Sequence, residues 1–250
     1  MIKFLDTLAA DTPKIIAIEL KRILASRNTE APLRILDVGA GSGEIWRRVE
    51  RRLTTNFGAS TKFELTLIDA NPVDEEAWNF AGHKVVRKVG MVPSGLDQFR
   101  SDDFDLVVAL DLIEHLTKSD GYRLLYHLNR LTECSVVQTP NGFLWQPPFA
   151  ANPFQAHISG WKPNELKALG WRRQFGLGGS KILVGIGGRP RYLASQSVSR
   201  KYLRFLEKVF IHASRILLSR FPSIHGEFIA VRRKREFDLE GEGIGIKVAK

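Results

Sequence analysis

This sequence has little cysteine, and it lacks long apolar runs and the pattern of a leader peptide. Its 250 residues include one cysteine, Cys134, which excludes an intrachain disulfide bond and a cysteine-based zinc site. We therefore expect a reducing compartment and a cytoplasmic protein. No stretch approaches the roughly 18 uncharged apolar residues that a membrane-spanning helix needs, and the first residues lack the pattern of a signal peptide.

Acidic residues are the minority among the charged ones. The chain has 37 Lys and Arg against 27 Asp and Glu, so its formal net charge is +10. The excess of base is concentrated in residues 197–221 and in the run Arg232-Arg233-Lys234-Arg235. Such an excess permits nucleic acid, anionic lipid or an acidic substrate as a partner. A nucleic-acid-binding protein more often spreads its charge along a binding face, so nucleic acid is the less expected partner.

The chain is organised around RILDVGAGSGE, from Arg34 to Glu44. An apolar strand runs into a glycine-rich turn, and a helical pattern follows. Glycine allows the tight turn and the close approach of a ligand, and the start of the helix adds unpaired N–H groups. A dinucleotide fingerprint would need a third glycine at position 44, where this chain has a glutamate that would repel a pyrophosphate.

Strands and helices alternate after this turn, which predicts a parallel α/β sheet. The predicted later strands are Phe63–Asp69, His83–Lys88, Phe104–Leu110, Ser135–Thr139, Trp171–Leu177 and Glu227–Arg233. The predicted helices are residues 1–30 in two pieces broken near Thr12-Pro13, then Glu44–Leu53, Ser119–Leu131 and Lys162–Leu169. Nearly fifty residues separate the last two strands, which indicates an insertion, because hairpin loops usually have about two to five residues.

Three segments together resemble a known family. The pattern D-x-G-x-G-x-G after a buried strand is similar to motif I of class I S-adenosylmethionine-dependent methyltransferases. The segments FDLVVALDLIEHL and VVQTPN resemble the middle of the group that includes ubiquinone-biosynthesis enzymes. This resemblance covers roughly residues 30 to 175. It implies S-adenosylmethionine as the cofactor and a Rossmann-like sheet of seven strands, mostly parallel, with an antiparallel last strand and helices on both faces.

The resemblance also implies a division of the chain. Residues 1–177 would form the cofactor-binding core with amino-terminal helices, and residues 178–226 would form an inserted helical cap. Residues 227–236 would supply the last core strand, and residues 237–250 would form a flexible tail.

The cofactor site is predicted at the carboxyl ends of the strands. Its predicted members are Asp37, Gly39, Gly41, Gly43, Asp69, Met91 and Asp111. Asp69 ends the second strand beside the glycine turn, where its carboxylate can accept two hydrogen bonds from ribose hydroxyls. The alternative for Asp69 is an Asx-turn or helix cap. The chain has no acid after the third strand to bind the adenine amino group, so we expect Met91, Val92 and backbone groups to hold adenine.

His115 is the candidate catalytic base, because the ordinary pKa of histidine lies near neutrality. Asp111 or Glu114 would orient its ring. Substrate binding is predicted for the residues that follow the fifth strand, namely Asn141, Trp145, His157 and Trp161. The structural alternatives are that Glu114 and His115 cap the next helix and that the tryptophans close the edge of the sheet.

A metal site is the sharper alternative. Asp111, Glu114, His115 and the distant His157 form D-x-x-E-H plus a later histidine. This set resembles the four-ligand site of small-RNA 2′-O-methyltransferases, which have E-x-x-E-H. Mixed carboxylate and imidazole ligands suit Mn²⁺ or Fe²⁺. The first acid differs from that family's pattern, so the metal-free interpretation ranks first.

The preferred function is methyl transfer to the oxygen of a small, glycan-like or lipid-linked acceptor. The first alternative is a metal-dependent RNA 2′-O-methyltransferase, and the second is a non-catalytic adaptor that binds S-adenosylmethionine at a membrane surface. Residues 201–220 have no Gly or Pro and place a basic face beside an apolar face. This pattern predicts either a cap helix on the sheet edge or a helix that docks on an anionic membrane.

Overall fold

The computed structural model describes residues 11–41, 43–58, 61–71, 82–148, 152–180 and 221–234. Seven strands form one sheet in the order β3-β2-β1-β4-β5-β7-β6. The strands are β1 (Leu33–Val38), β2 (Phe63–Asp69), β3 (Lys84–Val89), β4 (Leu106–Leu110), β5 (Cys134–Pro140), β6 (Arg173–Ser180) and β7 (His225–Arg233). The helices are α1 (Thr12–Ser26), α2 (Ile45–Phe57), α3 (Lys118–Leu131) and α4 (Pro163–Ala168).

The strands run in two directions. Strands β1 to β5 are parallel to one another, whereas β7 runs antiparallel to both β5 and β6. The strand order reverses between β1 and β4, and in open α/β sheets ligands bind beyond the carboxyl ends of the strands at this point. The predicted fold class, a mostly parallel seven-stranded sheet with an antiparallel final strand, is therefore confirmed.

Both faces of the sheet are covered, as predicted. On one face α1 and α2 bury Ile16, Leu20 and Val49 against the strands. On the other face α3 buries Leu124 and Leu128. Because the central strands are buried on both sides, they read as nearly continuous apolar runs in the sequence.

Local signals set the ends of the helices. The Asp11 side chain accepts a hydrogen bond of 2.8 Å from the backbone N–H of Lys14, and Pro13 lies in the first turn of α1. The predicted break near Thr12-Pro13 is thus the start of α1. Helix α2 ends at Gly58, whose φ of +60° is the left-handed conformation that glycine adopts without strain.

The strand ends differ from the predicted boundaries of the insertion. Strand β6 continues to Ser180 and β7 begins at His225, so the sheet extends into both ends of the predicted 178–226 segment. Residues 181–220, which include the predicted helix at 201–220, lie outside the described residues, as do residues 237–250 of the predicted tail. Among the described helices, none has the length and apolar character needed to cross a membrane.

Candidate active site

The glycine turn after β1 packs against Leu112 and hydrogen-bonds to the end of β2. Gly39 has a φ of +71°, and a Cβ at this position would lie 2.7 Å from Cδ1 of Leu112. Its N–H donates to the carbonyl of Ile68, at 2.8 Å. Gly41 and Gly43 also have positive φ, 51° in each case. The positive φ therefore favours glycine at Gly39, and a larger residue would also displace the Leu112 side chain.

Asp69 is held by backbone donors on two sides. Its Oδ2 accepts a bond of 2.9 Å from the N–H of Gly41, and its Oδ1 accepts a bond of 2.9 Å from the N–H of Asn71. The Asx-turn that was the structural alternative is thus present. Each carboxylate oxygen has a second lone pair. Ribose binding by Asp69 remains compatible with these bonds and stays a prediction.

Asp37 lies beneath the glycine turn and is buried. The indole N–H of Trp46 donates to its carboxylate over 2.7 Å. Burial raises the pKa of Asp37 to about 7. At pH 7 the Asp37 carboxyl group is therefore protonated in about half of the molecules. A cation bound nearby would favour its ionised form.

A cavity of about 470 Å³ opens beside the turn. It lies at the carboxyl end of β4 and reaches β5, where the sheet reverses its strand order. Acids predominate among the charged residues that line it: Asp11, Asp37, Glu44, Asp111 and Glu227, with Arg48 as the base. This lining favours a cationic ligand. Asp11 and Glu227 were missed by the sequence reasoning because each joins the cavity through a distant part of the chain.

Asp111 follows β4 in a left-handed backbone conformation, with a φ of +49°. Its N–H donates to the Gln138 carbonyl at 3.1 Å, and the Gln138 amide donates to both of its carboxylate oxygens at 3.1 Å. The Thr12 hydroxyl in turn donates to the Gln138 side chain. Partial burial of the carboxyl group raises the pKa of Asp111. Thr12 and Gln138 are two further site residues that the sequence reasoning missed.

Glu114 is the middle residue of the short 3₁₀ turn Ile113–His115 and is buried. The Thr139 hydroxyl donates to its Oε2 at 2.9 Å, and burial raises the pKa of Glu114 to about 8. The Glu114 carbonyl accepts bonds from the N–H groups of Ile158 and Ser159, at 2.9 and 3.0 Å. Glu114 therefore ties the turn after β4 to the loop after β5, which holds the two candidate histidines together.

The rings of His115 and His157 meet edge to face, with centroids 4.7 Å apart. Nδ1 of His115 lies 3.0 Å from the carbonyl of Ala156, and Nδ1 of His157 lies 2.7 Å from the carbonyl of Leu144. Because a carbonyl only accepts, each Nδ1 carries the hydrogen. In the neutral rings each Nε2 then keeps its lone pair. Burial lowers the pKa of His115, which favours the neutral form.

The structure brings together three of the four residues of the alternative metal set. Ligand atoms of Glu114, His115 and His157 lie within 4.8 Å of one another. The fourth residue, Asp111, is outside this cluster and directs its carboxylate to Gln138. The imidazole arrangement fits a metal, since metal-binding histidines commonly donate their second N–H to a carbonyl. Burial raises the pKa of Glu114, and its carboxyl group would have to lose the proton to bind a metal.

The predicted substrate residues are in different environments. Trp145 is 74% exposed, whereas Trp161 is fully buried and donates to the Ser159 hydroxyl at 2.9 Å. Trp161 therefore supports the loop from within the core and is not on the surface that an acceptor could contact. The Asn141 amide donates to the carbonyls of Pro222 and Ser223, at 3.1 and 2.9 Å, which ties β5 to the segment before β7.

Met91, predicted to contact adenine, lies beyond β3 and is 52% exposed. A second cavity, of about 480 Å³, lies at the opposite, amino end of the parallel strands. Several of its charged side chains are paired: Arg27 and Arg34 with Asp105, and Arg233 with Glu19. We place the chemistry at the carboxyl ends, where the glycine turn, Asp69 and the two histidines lie.

The chain matches the model of a family described as a methyltransferase domain over residues 8–177. No curated protein matches it.

Solved structures also match. A SAM-dependent methyltransferase from Archaeoglobus fulgidus is 18% identical, with a TM-score of 0.46 over 89% of this chain and 95% of that one. A putative sarcosine dimethylglycine methyltransferase from Galdieria sulphuraria is 15% identical, with a TM-score of 0.47 over 89% and 84%. The small RNA methyltransferase HEN1 is 17% identical, with a TM-score of 0.47 over 87% of this chain and 25% of that chain.

Proposed function

This chain belongs to the methyltransferase domain family, whose cofactor is S-adenosylmethionine, and we propose that it methylates a hydroxyl group. The acceptor is a small, glycan-like or lipid-linked molecule, and His115 is the base that takes the hydroxyl proton. Family membership supports an enzyme over the non-catalytic adaptor.

The geometry of His115 carries this proposal. Its Nδ1 is held by the Ala156 carbonyl, so its Nε2 is the atom that can accept a proton. His115 lies in the 3₁₀ turn Ile113–His115 after β4, four residues beyond Asp111, which lines the acidic cavity. A hydroxyl nucleophile needs such a base within hydrogen-bond reach when it attacks.

The chain's residues divide the work of methyl transfer. When bound, S-adenosylmethionine would supply a methyl group from its cationic sulfur to the acceptor oxygen and leave as S-adenosylhomocysteine. The acidic lining around Asp111 would favour this cation, and Asp69 would accept hydrogen bonds from its ribose. His115 receives the proton at Nε2. Glu114 holds the turn that carries His115: its side chain accepts from the Thr139 hydroxyl, and its backbone carbonyl accepts from the N–H groups of Ile158 and Ser159.

A metal-dependent RNA 2′-O-methyltransferase is the second candidate. The observation that favours it is the convergence of Glu114, His115 and His157 within 4.8 Å. This function requires Mn²⁺ or a similar ion, and RNA binding that weakens steeply with salt. If EDTA leaves the rate unchanged and added Mn²⁺ does not raise it, this candidate is excluded.

The acceptor atom can be tested with S-adenosylmethionine that carries a deuterated methyl group. Products from aqueous and lipid extracts would be analysed by mass spectrometry for the position of the label. The proposal expects an O-methyl product, and a label found only on nitrogen or carbon would contradict it.

The role of His115 needs matched variants. His115→Gln is expected to lower kcat about a hundredfold or more while the affinity for S-adenosylhomocysteine stays near wild type. The control is His127→Gln, on α3 and outside the site, which is expected to leave kcat unchanged. An unaltered rate in His115→Gln would mean that His115 has only a structural role.

A further inference from the structure

Basic residues are concentrated on the two helices that cover one face of the sheet. Helices α1 and α2, which are described throughout, contain seven Lys and Arg residues against two Glu residues. The basic residues are Lys14, Lys21, Arg22, Arg47, Arg48, Arg51 and Arg52. Both acids have partners: Glu19 is buried and bonded to Arg233 at 2.7 Å, and Glu50 lies 2.9 Å from Nε2 of His83. The outer surface of this pair of helices is therefore basic.

Contacts between α1 and α2 join their basic residues into one surface. Arg52 of α2 forms an ion pair of 2.6 Å with Asp11, whose side chain caps α1. Lys21 of α1 has its Nζ 4.8 Å from the centre of the Phe57 ring at the end of α2. The Lys21 charge therefore lies against the helix that carries the arginines. We name the four exposed residues of this surface the basic face: Lys21, Arg47, Arg48 and Arg51.

The arginines of α2 run against two preferences of a helix. Arg47 and Arg48 lie in its first turn, where the unpaired N–H groups make a cation unfavourable and where no acid is present. The helical neighbours of Arg51, three and four residues away, are Arg47, Arg48, Thr54 and Thr55. Like charges at this spacing are destabilising. Because departures from local preference are expected at functional sites, we infer that these arginines serve an anionic partner.

The chemistry of the basic face fits the phosphate backbone of a nucleic acid. Phosphate oxygens are bound by Arg and Lys together with hydroxyl and amide side chains. The exposed residues that continue α2 beyond the arginines are Thr54, Thr55 and Asn56, which supply such groups. A helix that lies on a membrane needs a broad apolar face toward the lipid. No large apolar side chain of α1 or α2 is among the exposed ones, so nucleic acid is favoured over an anionic membrane.

We propose that the basic face binds nucleic acid through its phosphates, with little preference for base sequence. The face meets the acidic cavity at Arg48, which lines that cavity, so a bound strand would pass beside the cofactor site. This binding does not depend on which acceptor is methylated. The sequence alone made nucleic acid the less expected partner because a binding face was not apparent in it. The packing of α1 on α2 assembles such a face from two segments of the chain.

Fluorescence anisotropy tests the proposal directly. The full chain is titrated onto a labelled single-stranded RNA, onto a scrambled RNA and onto DNA of the same length, at several salt concentrations. All three probes are expected to bind with similar affinity, and the affinity is expected to fall steeply as the salt concentration rises. If none of the probes binds at low salt, the inference is wrong.

Variants connect the binding to the basic face. Arg47→Glu with Arg51→Glu leaves Arg48 at the cavity unchanged. This double variant is expected to weaken RNA binding at least about tenfold at low salt, and the loss of two phosphate contacts should reduce the slope of log affinity against log salt by about 1.4. The matched control is Arg100→Glu with Arg123→Glu, which changes the net charge equally at two exposed arginines outside α1 and α2. The control is expected to keep the wild-type slope. If both double variants weaken binding alike, the overall charge is responsible and the inference is wrong.

Lys21→Glu tests the same face from the other helix and leaves α2 unchanged. It is expected to weaken RNA binding several-fold, and a wild-type affinity would show that α1 takes no part in the proposed face. Vesicles of phosphatidylglycerol and the polymer poly-glutamate are the competing probes. If wild type binds either of them through Arg47 and Arg51 and does not bind RNA, the partner is a membrane or an acidic protein and the inference is overturned.

Calorimetry separates this inference from the proposed function. Wild type and all the variants should bind S-adenosylhomocysteine with the same affinity, which also shows that the variants fold. Binding of S-adenosylhomocysteine without binding of RNA overturns only the nucleic-acid inference. Binding of RNA without binding of S-adenosylhomocysteine overturns only the proposed function.

Discussion

At the scale of single residues, Asp37 connects the sequence motif to stability. Its pKa in the folded chain is about 7, against an ordinary value of 3.8. Between these values the folded chain retains a proton that the unfolded chain releases. Asp37 therefore makes the wild type less stable as pH rises through this range, and the loss is complete above pH 7.

Asp37→Asn keeps an acceptor for the Trp46 indole and removes this titration. Relative to wild type, the variant is expected to gain stability by up to about 1.4 kcal/mol for each unit of pH between roughly 4 and 7. Thermal unfolding of both proteins without cofactor, at several pH values, measures the difference. A difference that stays constant with pH would contradict the burial of a protonated Asp37.

Gln138 is a positioning residue for Asp111, because its amide donates to both carboxylate oxygens. Gln138→Ala removes these bonds and is expected to weaken S-adenosylhomocysteine binding about tenfold. Thr12→Ala removes only the bond to Gln138 and is expected to have a smaller effect. Titration calorimetry of the two variants tests this order. Equal affinities for wild type and Gln138→Ala would mean that the Asp111 carboxylate, as Gln138 holds it, does not contribute to cofactor binding.

At the scale of elements, α3 and the loop after β5 are fitted together at Gly121. A Cβ at Gly121 would lie 2.3 Å from Cζ2 of Trp161, whose ring is buried. Glycine to alanine within a helix usually stabilises by about 0.5–1 kcal/mol. Here the ring has to move, and overpacking costs typically 1–3 kcal/mol.

Gly121→Ala is therefore expected to destabilise the protein by about 1 kcal/mol or more. Helix propensity alone would make the same substitution stabilising. Ser119→Ala, at an exposed position of the same helix, is the control and is expected to stay within about 0.5 kcal/mol of wild type. Denaturant unfolding gives both values. A stabilised Gly121→Ala would mean that Trp161 does not pack on α3.

The same element shows the limit of sequence reasoning. The loop rich in aromatic residues indicated a substrate wall, but its pattern has no period that separates buried from exposed side chains. Trp161 is buried because it contacts α3 and the turn after β4, which are distant in the chain. Trp145, on the same loop, is exposed. A local sequence pattern does not predict contacts between residues so far apart in the chain.

At the scale of the whole molecule, the alternation of strands and helices predicted the parallel part of the sheet, and the family resemblance added the antiparallel last strand. Parallel strands joined by helices bury both faces, and the glycine turn marks the carboxyl edge where ligands bind. The sequence also placed Glu114, His115 and His157 near one another through a family resemblance. It did not place α1 over the cavity, because the Thr12–Gln138 bond joins residues 126 positions apart.

The central claim is that S-adenosylmethionine binds at the glycine turn beside Asp69. Titration calorimetry with S-adenosylhomocysteine, on wild type and on Asp69→Ala, tests it most directly. Because bonds from ribose to a carboxylate are worth roughly 1.5–3 kcal/mol each, Asp69→Ala is expected to bind at least about tenfold more weakly, and NAD is expected not to bind wild type. Equal affinities would contradict the role of Asp69, and tight binding of NAD in place of S-adenosylhomocysteine would contradict the whole account.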